Sequence, residues 1–375
     1  MTSSARVLAH AASGYHAAAP VAAQAPLHAL RFDLDSAGTR HATVTLAREA
    51  AALPVVVLLP ALGEDDGSAQ RWADSIARAG YAVVRVQPLE EDALAWRSDR
   101  ARNGAFAVIA RERFDPALLP SRLAALAADL ARLRAQPNLA TTLDWTRLAY
   151  AGVDLGAFTV QAIAAGQGVD LPPASALIVL GPFGSPVEGA SAAHPPLLMA
   201  SGVGDFDPYG FLTREAQRHA AFDSLGPGVA AYLELDDLTR GLLLGQDIEE
   251  PALPDTRQDL RPSGAEQSPN RRQRPESRPA APPGEEAPDA EDLRQAEDEA
   301  KAREARLKNR FQEGRNRAER MALARISVET VVVAFLDARL RSNPAAAAWL
   351  GGGALPAWLG RDGRIQWRGK GKDGA

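Results

Sequence analysis

There is no cysteine anywhere in the sequence. That absence removes disulfides, thiol nucleophiles and Cys-ligated zinc together, while leaving the compartment open. Histidine is scarce, with 6 in 375 residues, and none lies beyond His219. Aromatic residues make up only 6% of the chain, against an abundance of Ala, Leu, Arg, Gly and Pro, so composition names no substrate. A formal net charge of −5 exerts no bulk pull on nucleic acid or an anionic membrane. No apolar run approaches the roughly 20 residues that span a bilayer. The Ala-rich opening residues lack the continuous apolar stretch of a signal peptide, so residues 1–26 read as a disordered tail and the protein as soluble and cytoplasmic.

What is present is an alternation of apolar strands and amphipathic helices. LHALRF and HATVTLA alternate around a turn at Ser36-Ala37-Gly38, and PVVVLLPAL from Pro54 is a buried strand. A helix from Ala69 to Ala79, stopped by Gly80, leads to the strand YAVVRVQ, which completes a β-α-β unit. Ser121 is placed to cap a helix whose Leu123, Leu126, Leu130 and Leu133 recur at helical spacing. RLAYAG, SALIVLG, PPLLMASG and VAAYLELD supply four more strands. Strands alternating with helices predict an α/β fold with a mostly parallel sheet over 27–250.

Residues 251–321 break the pattern. The stretch to 288 is crowded with Pro, Arg, Glu, Gln and Ser and carries almost no large apolar side chain, so it cannot offset the entropy of ordering. A charged helix follows, with supportive pairs such as Glu297 with Lys301 and Glu304 with Lys308. A solvated helix and a docking surface for a protein partner both fit it. Acids are as frequent as bases across the insertion, which argues against nucleic acid. From 322 to 368 the apolar period returns in VETVVVAFLDARL, a helix expected to rejoin the sheet, and 369–375 is a second tail.

The most informative stretch is Gly152-Val153-Asp154-Leu155-Gly156, between the strand RLAYAG and an Ala-rich helix. A strand, a tight G-x-x-x-G turn and a helix are the setting in which many hydrolases raise a nucleophile. With PVVVLLPALGEDDG, RWADSIARAGYAVVRVQ, LLMASGVGDFDPYG and AFDSLGPGVAAYLELDD in that order, the chain resembles the α/β-hydrolase superfamily. Within it, the chain resembles the dienelactone-hydrolase-like and platelet-activating-factor-acetylhydrolase-like bacterial proteins. The resemblance implies an α/β-hydrolase fold over 27–248 and 325–368.

It also implies where a catalytic set would stand. Asp154 takes the nucleophile position, Asp205 the acid position and Asp237 the histidine position, while Pro60, Ala61 and Leu62 take the oxyanion loop. Serine, histidine and a His-Gly pair are therefore all replaced, and Pro60 lacks the N–H that a donor needs. An elbow aspartate can itself act as a nucleophile if a base activates water. No histidine follows Asp237 to serve as that base. His10 and His16 lie in the tail, His28 and His41 in the first hairpin, His194 before a strand, and His219 in a helix.

Two functions follow as expectations. The leading one is a catalytically degenerate protein, binding or scaffolding through a partner surface in 251–320. The other is an active hydrolase of ester, lactone or dienelactone type, or one with Asp154 as nucleophile. Asp154, Asp205 and Asp237, with Glu64, Asp65, Asp66 and Asp207 nearby, are expected to crowd one end of the sheet. Such a cluster retains protons, disperses its charge in solvent, or takes Ca²⁺ or Mg²⁺; no other cofactor is expected.

Overall fold

The computed structural model describes residues 3–21, 25–47, 52–168, 170–183, 193–203, 207, 209–211, 216–246 and 290–369. The chain divides into two units, one formed by Met1–Ile248 with Arg320–Ala375 and the other by Glu249–Glu319.

In the first unit the strands are β1 (Leu27–Asp33), β2 (His41–Ala47), β3 (Leu53–Leu59), β4 (Ala82–Val86), β5 (Leu143–Val153), β6 (Ala176–Leu180), β7 (Leu197–Gly202), β8 (Ala230–Leu235) and β9 (Gly363–Arg368). They form a nine-stranded sheet in the order β1-β2-β4-β3-β5-β6-β7-β8-β9. Pairing is antiparallel for β1 with β2, β2 with β4 and β8 with β9, and parallel everywhere between β4 and β8. The helices are α1 (Ser3–Ser13), α2 (Gln70–Arg78), α3 (Glu90–Ala93), α4 (Asp99–Arg102), α5 (Phe106–Arg113), α6 (Leu119–Arg134), α7 (Leu155–Ala164), α8 (Ala216–Asp223) and α9 (Arg240–Leu243). They are followed by α10 (Ala290–Leu340), which enters this unit at Arg320, then α11 (Pro344–Gly351) and α12 (Ala354–Leu359).

The two-residue period of the strands divides the core into two layers. Val55, Val57 and Leu59 of β3 face one side, where they meet Leu126, Leu130 and Leu133 of α6 and Val160 of α7. Val56 and Leu58 face the other, against Trp72 and Ile76 of α2 and Val328, Val331, Val332 and Phe335 of α10. Spacings of three and four along α10 place those last side chains on one stripe. Central strands covered on both faces need continuous apolar sequence, and VVVLL and ALIVL supply it.

Four features depart from the expectations. Residues 3–18, expected as tail, are ordered: His10 Nε2 lies 2.9 Å from Ser327 Oγ, and its ring stacks on Trp358 at 4.2 Å. Behind it, the fully buried carboxylate of Asp337 accepts hydrogen bonds from Tyr15 Oη, the Ala18 amide, Tyr81 Oη and Arg341. A buried charge requires donors, and the N-terminal segment provides two of them. Next, α6 begins at Leu119 with Pro120 in its first turn, so Ser121 lies inside the helix and caps nothing. The charged helix and the last core helix, expected as separate elements, are one helix. Finally β9, not foreseen as a strand, closes the edge beside β8.

Of the second unit, Ala290–Glu319 is helical; the low-complexity stretch expected over 251–288 lies outside the described residues. Among the described residues no helix is long and apolar enough to cross a membrane.

Candidate functional site

β5 ends at Val153, Asp154 turns the chain, and α7 begins at Leu155. Asp154 holds φ 55° and ψ −113°, outside the regions that L side chains favour. The turn is tight because its glycines leave no room for side chains. A Cβ on Gly156 would stand 2.1 Å from the Leu59 carbonyl, and one on Gly152 would stand 2.2 Å from Gly156 itself. The Gly156 amide donates to the Pro60 carbonyl at 3.1 Å, which ties the elbow to the loop after β3.

That loop delivers its amides to carboxylates of the protein itself. The Leu62 N–H donates to Asp154 Oδ2 at 3.2 Å, and the Ala61 N–H donates to Glu64 Oε2 at 3.3 Å. The carbonyls of the loop are held too: Gln87 Nε2 donates to Ala61 O and Glu64 O, and Trp96 Nε1 to Leu62 O. Pro60, Ala61 and Leu62 thus form a rigid floor whose two available donors already have acceptors.

From the loop after β8, Arg240 reaches Asp154 Oδ2 at 2.9 Å. Arg240 opens α9, whose N-cap Thr239 accepts the Leu242 N–H. The guanidinium also donates to Tyr209 Oη at 3.2 Å and lies 5.1 Å from the centre of that ring. Tyr209 Oη in turn stands 3.5 Å from Asp154 Oδ2. Over the pair sits an aromatic cluster in which Phe114, Phe183 and Phe211 surround Tyr209 at centroid distances of 5.9, 6.5 and 5.9 Å. Asp154 is 2% exposed, and its Oδ1 is buried with no hydrogen-bond partner.

Burial pushes the Asp154 carboxyl above the usual carboxylate range, and Arg240 and the Leu62 amide pull it back only in part. Burial likewise raises Glu64 from 4.5 to about 7, aided by the charge of Asp154 and opposed by the Ala61 amide and Arg240. Tyr209 is also raised by burial and by Asp154, so its phenol stays protonated and available as a donor.

The remaining expected residues are distributed differently. Asp237 faces Arg320 at 3.1 Å, away from the contacts of Asp154. Asp65 is exposed and accepts the Gly67 N–H, while Asp66 accepts from Thr43 Oγ1 at 2.7 Å. Asp207 acts on Asp154 through its charge and caps the turn at the Tyr209 N–H. Asp205 lies outside the described residues. Among the described residues no three His, Asp or Glu side chains are grouped to hold a metal ion. The counter-charge at Asp154 comes from Arg240.

No family model matches this chain, and no curated protein is significantly similar to it. The chemistry of the site therefore rests on its own geometry. The histidines are engaged elsewhere: His10 with Ser327, His16 with the Ala12 carbonyl, His41 with Asp33, His194 with the Pro195 carbonyl, and His219 with Asp223 and Gln366. His28 lies in the edge strand β1. No imidazole is among the groups that act on Asp154.

The sequence reading missed Arg240 and Tyr209. The signal for the arginine was present in LDDLTRG, three residues beyond Asp237, because an aspartate at a buried elbow demands a cation from a neighbouring loop. Tyr209 carried no comparable signal, since no pattern around it in the sequence points to Asp154.

Proposed function

We propose that this chain is a catalytically degenerate protein of α/β-hydrolase fold, acting as a binding or scaffolding subunit. The strand order, the parallel centre with antiparallel edges, and the strained residue between β5 and α7 support that reading of the fold. The observation that carries the functional reading is the closure of Asp154. A nucleophile needs an open approach, a base and free donors for the developing oxyanion. Here the carboxylate is held by Arg240, Leu62 and Tyr209 beneath an aromatic cluster, and no imidazole adjoins it. The partner surface of this reading is the charged stretch 251–320, a segment rich in both signs of charge and poor in apolar side chains.

A second reading, an aspartyl hydrolase, gains support from one group. Burial, aided by the charge of Asp154, raises Glu64 to about 7, which is the tuning a general base requires. The two readings separate in a single-turnover experiment: the full chain is mixed with p-nitrophenyl acetate, quenched, and its peptides weighed. The degenerate reading expects no acetyl adduct on the peptide bearing Asp154. An adduct there, lost in Asp154→Ala, establishes the aspartyl reading instead.

A further inference from the structure

A cavity of about 490 Å³ opens at the C-terminal end of β8, between α1, α10 and α12. It shares no side chain with the Asp154 site. Its volume lies in the range of small-molecule sites, which extends over roughly 300–1,000 Å³. Leu323 and Leu359, each almost wholly buried, with Trp358 beside them, form an apolar wall. Trp358 is fixed edge and face, because its Nε1 donates to the His10 carbonyl at 3.1 Å and its ring stacks on the His10 imidazole. The wall is therefore built in advance, as ligand sites require.

The charges at the mouth do not cancel. Asp237 is paired with Arg320 at 3.1 Å, and Asp362 with Arg6 at 3.5 Å. Arg361 also lines the cavity and has no carboxylate partner among the described residues. His10 adds no compensating charge, since burial lowers its pKa and keeps the imidazole neutral near pH 7. Its Nε2 is taken by Ser327, while Nδ1 has no protein partner among the described residues. One guanidinium with no carboxylate partner among the described residues, one imidazole edge and an apolar wall line the same space.

We propose that this cavity binds a small monocarboxylate with an apolar body, the carboxylate paired with Arg361 and the body lying on Leu323, Leu359 and Trp358. Three arginines against two aspartates leave one positive charge, which matches a monoanion better than a phosphate dianion. The planar fork of Arg361 suits a carboxylate, which it can hold through two parallel hydrogen bonds. The neutral His10 edge adds a hydrogen bond without a second charge.

The test uses 4-phenylbutyrate as the probe on the full chain, followed by titration calorimetry. A ligand of this size filling the wall is expected to bind with a Kd of about 1 mM or tighter. Arg361→Gln, a change at an exposed position that leaves the fold intact, should weaken binding at least about tenfold, the loss of one charge-assisted pair. 4-Phenylbutanol should bind as weakly to the parent as the acid does to that variant. Leu323→Trp, which fills the cavity, should abolish binding, whereas Asp154→Asn should leave it unchanged. Equal binding of acid and alcohol, equal binding to Arg361→Gln, or inorganic phosphate competing as well as the acid would each overturn the proposal. So would the absence of heat at probe concentrations of about 10 mM, well above the expected Kd.

Discussion

Replacing Glu64 by glutamine should stabilise the protein at alkaline pH and change nothing in acid. Glu64 titrates at about 7 in the fold instead of its ordinary 4.5, chiefly because it is buried beside Asp154. A carboxyl with a raised folded pKa binds its proton more tightly in the native state than in the unfolded chain. Between those two values the native state therefore holds more protons, and stability falls as pH rises. The penalty is absent below about pH 4, grows from 4.5 to 7, and is complete above about pH 8. That interval corresponds to about 3 kcal/mol, and to about 2 kcal/mol after allowance for the solvent that still reaches the group. Glutamine keeps an oxygen for the Ala61 N–H, which now donates to Glu64 Oε2, and carries no charge to desolvate. Urea unfolding of both proteins at intervals from pH 4 to 9 reads this directly. The parent curve should descend through neutrality more steeply than the Glu64→Gln curve, which retains only the slope of other raised carboxyls such as Asp154, with a gap of about 2 kcal/mol at pH 8. Parallel curves, or a variant less stable at pH 8, would refute the argument that desolvation dominates at this position.

Three further outcomes follow from the same geometry. Arg240→Gln strands the buried Asp154 carboxylate and should cost about 3 kcal/mol at pH 8, with most of the loss restored in the Arg240→Gln/Asp154→Asn double variant; a cost below about 0.5 kcal/mol would show the pair to be solvent-screened. Asp337→Ala removes the common acceptor of Tyr15, Ala18, Tyr81 and Arg341, so it should cost about 3–5 kcal/mol and expose residues 1–21 to limited proteolysis. A protected N-terminus in that variant would contradict the tethering. Deleting Asp255–Asn316 and inserting a short flexible linker should shift the melting temperature by no more than about 3 °C, because loop closure costs little; a much larger drop would make that segment part of the core.

The central strands were legible because burial on both faces demands continuous apolar sequence, as in VVVLL, and the leucines of α6 because their spacing admits only a helix. The elbow was legible through its glycines, whose places next to Leu59 and Gly156 admit no Cβ. Other elements left no such trace. In the N-terminal segment the side chains that bind, His10 of α1 and Tyr15 just after it, act through distant partners, Ser327 and Asp337, over 300 residues away in sequence. β9 is six residues with only alternate burial, so its apolar content is too small to stand out from a tail. The expected gathering of acids went furthest astray for Asp237. The resemblance alone placed it at the site, and Arg240 of the same loop reaches Asp154 while Asp237 meets Arg320. Position along a loop does not fix which side chain points inward; the charge already buried there does.

The most direct test of the account is steady-state hydrolysis. The purified full chain and its Asp154→Ala variant are assayed from pH 5 to 9 against short-chain p-nitrophenyl esters and small lactones. The closed, donor-occupied site predicts no multiple turnover by either protein above the uncatalysed rate, with the two indistinguishable at every pH. Multiple turnovers by the parent that vanish in Asp154→Ala would contradict the account.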